Sequence, residues 1–508
     1  MRFSYLPPLM VYLAAGVSGL TGIVGTFFVK EYLGISAEYL AALAFWAGIP
    51  WALKMPVGHF VDLIWRWKAL LVYLGAGLIA ASIAIMIGLL EHRQAMETVM
   101  SAEKWFVLSS LLAPVGYMVQ DAVADAMTVE AVPHVDEQGR AYDAATLKSM
   151  HTTMQTLGRV AIIGGTVFVA ALNVWFFRDA DNLPQAAKAV LYADVYKASL
   201  AIPLISIAGV LLHSVLKRTH PERLFAQDTE TEPNWWVLGG SLAFVVITLV
   251  LGLSDVPHAQ ELIFAGSFVV VVFLLWRLAR ELEPRAREAL VATACVIFVY
   301  RSMPGPGAGS TWWMIDVLGF DQSFLARLSL IASALTLAGM FIFRRYMASR
   351  SIADITVMLT LAGTALALPT IGMYFGLHEW TARHTGGIVD ARFIALVDTA
   401  LESPLGQIAM IPMLAWIANS APAHLKATYF AVMASFSNLA LSLAQLGTKY
   451  LNQIFVVARE VREPASGAIK VPADYSELGI LLISATAIGF LHPIAAVAIV
   501  RVLKLRTA

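Results

Sequence analysis

Long apolar runs separated by short polar breaks make up almost the whole chain. Most runs are close to the roughly 20 residues that an α-helix needs to cross the hydrocarbon core of a bilayer. The pattern predicts fourteen helices, at 7–28, 38–60, 68–90, 105–130, 148–175, 198–216, 236–254, 260–279, 288–313, 322–346, 352–376, 389–418, 424–450 and 477–500. Because this number is even, both termini are expected on the same side of the membrane.

The basic residues between the predicted helices indicate which side that is. Segments on the side of the termini carry 19 of the 35 Lys and Arg residues, those on the other side carry 12, and four lie within helices. Short loops on the cytoplasmic side of membrane proteins are enriched in Lys and Arg. We therefore expect a multi-pass protein of the bacterial inner membrane with both termini in the cytoplasm.

Two short sequence echoes divide the chain into related halves. Leu33-Gly34 and Leu318-Gly319 each join the first two helices of a half, and Leu147-Lys148 is echoed by Leu425-Lys426 where each fifth helix opens. Chance similarity between apolar segments is the alternative, but the helix count agrees with the echoes. Two parallel six-helix repeats are typical of major-facilitator transporters. We predict this all-α fold with a six-helix bundle at 1–216, a cytoplasmic linker and two extra helices at 217–286, and a second six-helix bundle at 287–508.

The composition excludes most other classes of protein. The 508 residues are 59% hydrophobic and 14% charged, whereas soluble domains average about 45–50% apolar and about 25% charged residues. Lys and Arg balance Asp and Glu at 35 each, which does not suggest a nucleic-acid binder. The single cysteine, Cys295, and the unpaired spacing of the histidines give no metal site, and no enzyme motif occurs. We expect neither a cofactor nor enzymatic activity.

Ionisable residues inside the predicted helices of the first half indicate function, because a charge within a bilayer is costly. Asp121 and Asp125 lie four residues apart on one face of helix four, and Glu130 lies near its cytoplasmic end. Carboxylates one turn apart repel each other, which suits proton coupling through these three acids. Lys54 and Arg159 lie in neighbouring helices, and an Asp121–Arg159 pair is geometrically possible. A purely structural ion pair is the alternative.

The second half repeats the acidic pattern in its own fourth helix. Asp398 and Glu402 are again four residues apart, and Arg301 precedes a run at 303–309 that is too rich in Pro and Gly to remain a plain helix. Broken helices often line the binding sites of transporters. We expect one substrate site lined by Lys54, Asp121, Asp125, Arg159, Arg301, Asp398 and Glu402. The alternative is that these charges pair within one half and stabilise it.

The inner end of helix two carries a further stripe of functional residues. Gly58, Asp62 and Arg66 follow one another at intervals of four residues, on one face of the helix. A glycine at such a position permits close approach of helices, and an acid beside a basic group can latch one conformation. We predict that these three residues take part in gating. Anchoring at the membrane interface is the alternative.

Three sets of residues together form a recognisable pattern. Helix two supplies Pro50-Trp51, Lys54, Gly58 and Asp62, and helix four supplies Asp121, Asp125-Ala126 and Glu130. The second half supplies Pro304, Trp312-Trp313, Leu318-Gly319-Phe320, Glu402, Pro404, Pro412, Ala427-Thr428 and Asn438. With these residues the chain resembles the folate–biopterin transporter family of the major facilitator superfamily. Arg301 has no counterpart in that pattern.

The resemblance implies alternating-access transport of folate or a pterin, coupled to protons. A carboxylate suits the amino and N–H edge of a pterin, and a basic side chain suits the glutamate tail of folate. We expect a monomer in the lipid bilayer whose partners are a small-molecule substrate and protons. Two alternatives remain open. One is transport or export of another aromatic or anionic metabolite, and the other is a non-transporting assembly factor for membrane pigment–protein complexes.

Overall fold

The computed structural model is almost entirely helical. It describes residues 3–507 except 34, 53, 65–66, 134–139, 181–182, 220–234, 236–238, 240–245, 249, 252–255, 281, 344–345, 347–348, 407, 409–425, 463–468 and 506. Most of the predicted helix at 236–254 and the second half of the helix predicted at 389–418 therefore lie outside the described residues.

The described residues up to Thr219 form ten helices with short connections. Their bounds are α1 Leu6–Val17, α2 Gly22–Tyr32, α3 Ala37–Ala52, α4 Lys54–Leu63, α5 Lys68–Glu91, α6 Arg93–Glu97, α7 Ala102–Glu130, α8 Ala144–Phe176, α9 Gln185–Ser199 and α10 Ala201–Thr219. Short 3-10 turns at Phe3–Tyr5 and Ser18–Thr21 extend α1 at both ends. The helical region that was predicted at 198–216 begins earlier than the sequence pattern indicated. Helix α9 starts thirteen residues before position 198.

The second half forms nine described helices and one small hairpin. The helices are α11 Ala259–Ala279, α12 Pro284–Arg301, α13 Ala308–Asp316, α14 Gln322–Ile342, α15 Ile352–Tyr374, α16 Leu377–His384, α17 Ala391–Glu402, α18 Lys426–Ile454 and α19 Leu478–Val502. A 3-10 turn at Ser403–Leu405, which contains Pro404, follows α17. Strands β1 Val461–Arg462 and β2 Ile469–Val471 pair antiparallel between α18 and α19.

Within the described residues, nine helical stretches are long and apolar enough to cross a membrane. Several of them expose large aliphatic and aromatic side chains, which a surrounding lipid would cover. The all-helical, multi-pass class predicted from the sequence is therefore confirmed. The count of fourteen spans stays a prediction.

The chain forms two compact units. The first consists of Met1–Gly25 and Leu53–Ala243, and the second of Thr26–Ala52 and Phe244–Ala508. The second unit thus includes α3 and most of α2, which the sequence assigned to the N-terminal bundle. The division at 216 and 286 remains a prediction.

Small residues let the helices of the first unit approach closely. An added Cβ at Gly16 in α1 would lie 2.1 Å from the backbone oxygen of Ile162 in α8. Gly75 in α5 and Gly116 in α7 face each other in the same way, with each added Cβ 2.6–2.7 Å from the other's carbonyl oxygen. Such contacts bring backbones together where lipid gives no hydrophobic driving force for helix association.

In the second unit, α11 belongs to the inserted pair of helices and is fixed by polar contacts. Lys449 in α18 lies 2.7 Å from the carboxylate of Glu261 in α11. Gln260 donates a hydrogen bond of 3.1 Å to the carbonyl oxygen of Ala42 in α3. The inserted helix is therefore attached to both α3 and α18.

Candidate substrate and proton site

A lysine held between two carboxylates lies in the interior of the first unit. The Nζ atom of Lys54, at the start of α4, lies 2.5 Å from Oδ2 of Asp121 and 2.7 Å from Oδ2 of Asp125. Both aspartates project from α7 one turn apart, as their spacing predicted. One ammonium group thus serves two carboxylates, which leaves this trio with one surplus negative charge when both acids are ionised.

Tyr12 of α1 completes this cluster. Its hydroxyl donates a 2.5 Å hydrogen bond to Oδ1 of Asp125, and the side chain is buried. Gly158 of α8 leaves room for the tyrosine ring, since an added Cβ there would lie 2.9 Å from a ring carbon. Sequence reasoning missed Tyr12 because it lies in an apolar run. The available signal was its hydroxyl, which must find a partner inside a membrane protein.

A second layer of hydrogen bonds orients the face of α7 that carries the aspartates. Gln120 is buried and donates to the carbonyl oxygen of Val72 in α5 at 3.2 Å. Its side-chain oxygen accepts a 3.0 Å hydrogen bond from the hydroxyl of Ser206 in α10. The adjacent Asp121 is therefore presented from a helix that contacts with α5 and α10 hold in register.

Solvent access differs between the two aspartates. The side chain of Asp121 is 15% exposed and that of Asp125 is 40% exposed. Asp125 is therefore the member through which a proton or a ligand donor reaches the cluster most easily.

Arg159 and Glu130 lie outside the direct contacts of the Lys54 cluster, and Glu130 lies at the end of helix α7, as its sequence position suggested. Arg159 on α8 acts on Asp121 through its charge, while the direct contact to that carboxylate belongs to Lys54. Glu130 is fully buried at the end of α7, 2.7 Å from Lys68 and 3.0 Å from Lys217. His213 lies 3.3 Å from the same carboxylate. Glu130 therefore belongs to a separate, basic cluster at the end of this bundle.

The second unit contains the break in helix structure that its Pro and Gly residues predicted. Helix α12 ends at Arg301 and α13 begins at Ala308. Two groups of α18 bind the backbone between them. The hydroxyl of Thr448 accepts a 3.0 Å hydrogen bond from the Gly305 amide, and the Asn452 amide donates at 3.3 Å to the carbonyl oxygen of Pro306. The break between α12 and α13 is thus held in place by side chains of α18.

Beside this break, the charged side chains keep free hydrogen-bonding capacity. Among the described residues, the buried Nε atom of Arg301 and the buried Oδ1 atom of Asp398 have no hydrogen-bond partner. Glu402 lies one turn after Asp398 at the end of α17 and is exposed. Buried polar atoms without partners are rare in folded proteins and often mark a place that a ligand completes.

The structure describes only part of the predicted gating residues. Arg66 lies outside the described residues, and at Gly58 and Asp62 only the helical backbone of α4 is described. Across the part of the chain that the structure describes, no group of His, Cys, Asp and Glu could hold a metal ion.

Comparison with known proteins places this geometry in a family. The sequence pattern of the BT1 family matches residues 186–502, well over half of the chain. The chain belongs to the BT1 family. A folate-biopterin transporter of Synechocystis sp. (strain ATCC 27184 / PCC 6803 / Kazusa) is 22% identical over 439 residues, which cover 85% of this chain and 71% of that protein. The resemblance found in the sequence is thereby confirmed.

Solved structures with the same fold are also transporters. A POT family transporter in complex with a thioalcohol-conjugated peptide covers 99% of this chain at a TM-score of 0.61 and 11% identity, with 96% of its own length matched. A bacterial homologue of the human drug peptide transporters covers 99% at a TM-score of 0.58 and 14% identity, with 98% of its own length matched. This BT1 protein therefore has the fold of these solved transporters.

Proposed function

We propose that this BT1 protein is a secondary active transporter of folate or a pterin, driven by protons. The observation that carries the proposal is the buried cluster in which Lys54 is shared by Asp121 and Asp125. The name of the Synechocystis relative, a folate-biopterin transporter, supports the same class of substrate.

Charge balance explains how this cluster can couple transport to protons. With both acids ionised, two carboxylates share one ammonium, and the charge of Arg159 on α8 offsets in part the surplus that is costly in a medium of low dielectric constant. Binding of one proton removes that surplus. The same is achieved by a ligand that donates hydrogen bonds or brings a positive charge to Asp125, so proton and ligand are linked through one site.

The unpartnered groups of the second unit support recognition of the rest of the substrate. The Nε–H of Arg301 fits an anionic group such as the glutamate carboxylates of folate, and the free oxygen of Asp398 fits an amino or N–H donor. Glu402, one turn away, adds a second acceptor. Glu130 is proposed as a further proton-linked acid, and Gly58, Asp62 and Arg66 as gating residues.

The remaining features of the proposal follow from the sequence. We assign both termini to the cytoplasmic side of a bacterial inner membrane, because the segments on that side carry the larger share of Lys and Arg, and we take the functional unit to be a monomer. Import and export use the same alternating-access chemistry, so the direction follows from the gradients.

Binding measurements on the purified protein test the substrate. Thermal unfolding is followed with pterins, folates and unrelated aromatic metabolites, because a ligand that binds the folded state raises the unfolding temperature. We expect pterins or folates to raise it in a dose-dependent way. Stabilisation by the unrelated metabolites, with none by pterins or folates, would overturn this substrate assignment.

Arg301→Ala separates a ligand contact from a structural one. We expect it to weaken folate binding at least tenfold while leaving the unfolding temperature of the free protein nearly unchanged, since no described partner is lost. Arg383→Ala is the matched control, because Arg383 is an exposed arginine paired with Glu379. Loss of folding without selective loss of affinity would assign Arg301 to stability instead.

A further inference from the structure

Besides the Gln260–Ala42 hydrogen bond, four further polar contacts attach the segment Thr26–Ala52 to the rest of the second unit. Two of them lie at α3, where the Asn438 amide donates at 3.1 Å to the carbonyl oxygen of Trp51 and the Gln453 amide donates at 2.7 Å to Glu38. The other two involve charged side chains near the β-hairpin. A transporter must open its site to each side in turn, and few side-chain contacts of this kind are needed to hold such a segment in one state.

Asp316, the last residue of α13, has both carboxylate oxygens occupied. Its Oδ1 atom lies 2.5 Å from Nζ of Lys30, which belongs to the segment Thr26–Ala52. We call this segment docked when it makes the contacts described here and withdrawn when it does not. The Oδ2 atom of Asp316 accepts a 2.6 Å hydrogen bond from the hydroxyl of Tyr475, which lies just before α19. In this arrangement the carboxylate needs no further cation.

Arg459 is a buried cation whose capacity is mostly unused. It is 3% exposed, its guanidinium carbon lies 4.6 Å from the centre of the Trp312 ring, and Nη1 donates at 3.1 Å to the carbonyl oxygen of Ile35. Among the described residues, its Nε and Nη2 atoms have no hydrogen-bond partner. These two N–H groups form one edge of the guanidinium, the edge that binds a carboxylate with two parallel hydrogen bonds.

The electrostatics of Arg459 place a carboxylate within its reach. Burial lowers the pKa of Arg459 to about 10, and the neighbouring Tyr475 and Asp316 act in the opposite direction. A desolvated guanidinium with an empty edge is an unfavourable arrangement that persists only when the fold requires it. Asp316, the acid whose charge acts on Arg459, already has Lys30 as its partner.

We infer that Lys30 and Arg459 exchange the carboxylate of Asp316 during the transport cycle. Lys30 holds Asp316 while the segment Thr26–Ala52 is docked, and Arg459 turns its free edge to Asp316 when that segment withdraws. This inference does not depend on the identity of the substrate. It rests on the proposed transport function, and it requires that the segment moves relative to the rest of the second unit during the cycle.

Exchange avoids the unpaired charges that withdrawal of the segment would otherwise leave. Withdrawal of the segment removes Lys30 from Asp316 and the Ile35 carbonyl from Arg459 at the same moment. Without exchange, an unpaired carboxylate and an unpaired guanidinium would be left beside each other in a partly buried place, at a large cost. With exchange, the Asp316 carboxylate has a cationic partner in both states, Lys30 in the docked one and Arg459 in the withdrawn one.

The rival role for Arg459 is that of a simple tether, which holds the segment through the Ile35 carbonyl. The two roles predict opposite effects on docking when Arg459 is removed. Removal of a tether weakens docking, whereas removal of the exchange partner penalises the withdrawn state and so strengthens docking. In the exchange scheme the single hydrogen bond to a neutral carbonyl that Arg459 loses on withdrawal is weaker than the two hydrogen bonds to a carboxylate that it loses on docking.

Cross-linking measures the ratio of docked to withdrawn protein. In a Cys295→Ser background, cysteines replace Glu38 and Gln453, and a short bifunctional maleimide traps the docked state of the full chain in liposomes. The variants are Lys30→Gln, Arg459→Met and Arg459→Lys, with Arg392→Met as the control because that arginine pairs with Asp321 away from the segment. Substrate-free protein is used throughout.

Exchange predicts opposite shifts for the two cations. Lys30→Gln should lower the docked-to-withdrawn ratio about fivefold and Arg459→Met should raise it about fivefold, the ratio that roughly 1 kcal/mol produces. Arg392→Met should leave it unchanged. Should Arg459→Met fail to fold, Arg459→Lys should give the same rise, because an ammonium group cannot form the two-bond edge. A fall in the ratio for the Arg459 variants, or no change, would overturn the inference.

Discussion

Single charged side chains decide the chemistry of the first unit. The spacing of Asp121 and Asp125 predicts that they share one helix face, and the structure confirms it. The sequence could not choose between Lys54 and Arg159 as their partner. Depth along a helix follows from residue counting, but the rotation of each helix about its axis depends on packing, such as the contact of Tyr12 with Gly158.

A variant without the Lys54 ammonium group is expected to unfold more easily than the parent protein. Lys54→Gln leaves two carboxylates facing each other without a cation, and loss of one partner of a buried ion pair costs about 3 kcal/mol. Thermal unfolding in detergent should show a clearly lower midpoint for this variant. The double variant Lys54→Gln with Asp121→Asn should recover most of the loss, and absence of any recovery would show that the charges are not coupled.

Two elements owe their placement to backbone contacts rather than to charge. Helix α1 meets α8 at Gly16, and the broken segment after α12 is held by Thr448 and Asn452 of α18. The Pro and Gly residues at 303–309 were enough to predict the break. Its partners on α18 could not be predicted, because Thr448 lies about 140 residues away and a threonine in an apolar helix most often bonds only its own backbone.

A side chain at Gly16 is expected to force α1 away from α8. An added Cβ would lie 2.1 Å from the Ile162 oxygen, so Gly16→Val should lower the free energy of unfolding by roughly 1–3 kcal/mol through overpacking. Gly22→Ala is the control, since nothing lies within 4 Å of an added Cβ there. Equal thermal unfolding midpoints for the two variants would contradict the close crossing of α1 and α8.

The hydroxyl of Thr448 is expected to stabilise the broken segment. Thr448→Val keeps the shape but leaves the Gly305 amide without its acceptor, which should cost about 1–3 kcal/mol. Thr448→Ser keeps the hydroxyl and should unfold close to the parent protein. If valine and serine at this position give the same unfolding curve, the hydrogen bond carries no stability.

At the scale of the whole molecule, composition and charge distribution predict the class of protein, and the family and the solved structures confirm it. The grouping of residues into compact units was harder to predict from the sequence. Helices α2 and α3 belong to the first half in sequence, yet Thr26–Ala52 lies in the second unit. Packing of α3 against α18 joins residues almost 400 positions apart, and periodicity within a helix holds no information about such a partner.

The orientation of the chain is open to direct measurement. Reporter fusions at residues 217–234 should give a cytoplasmic signal, and fusions at residues 452–474 should give a signal from the opposite side, because the Lys and Arg bias places both termini inside. Reversed signals at both places would invert the assigned topology and with it the predicted sides of the gating residues.

Transport driven by a proton gradient tests the central claim most directly. Purified protein in liposomes is given an inward proton gradient, and accumulation of a labelled pterin or folate is followed with and without a proton ionophore. The parent protein and the exposed control Asp179→Asn should accumulate the label only while the gradient lasts. Asp121→Asn and Asp125→Asn should lose gradient-driven accumulation. Full accumulation by both of these variants would contradict the proposal that the Lys54 cluster couples transport to protons.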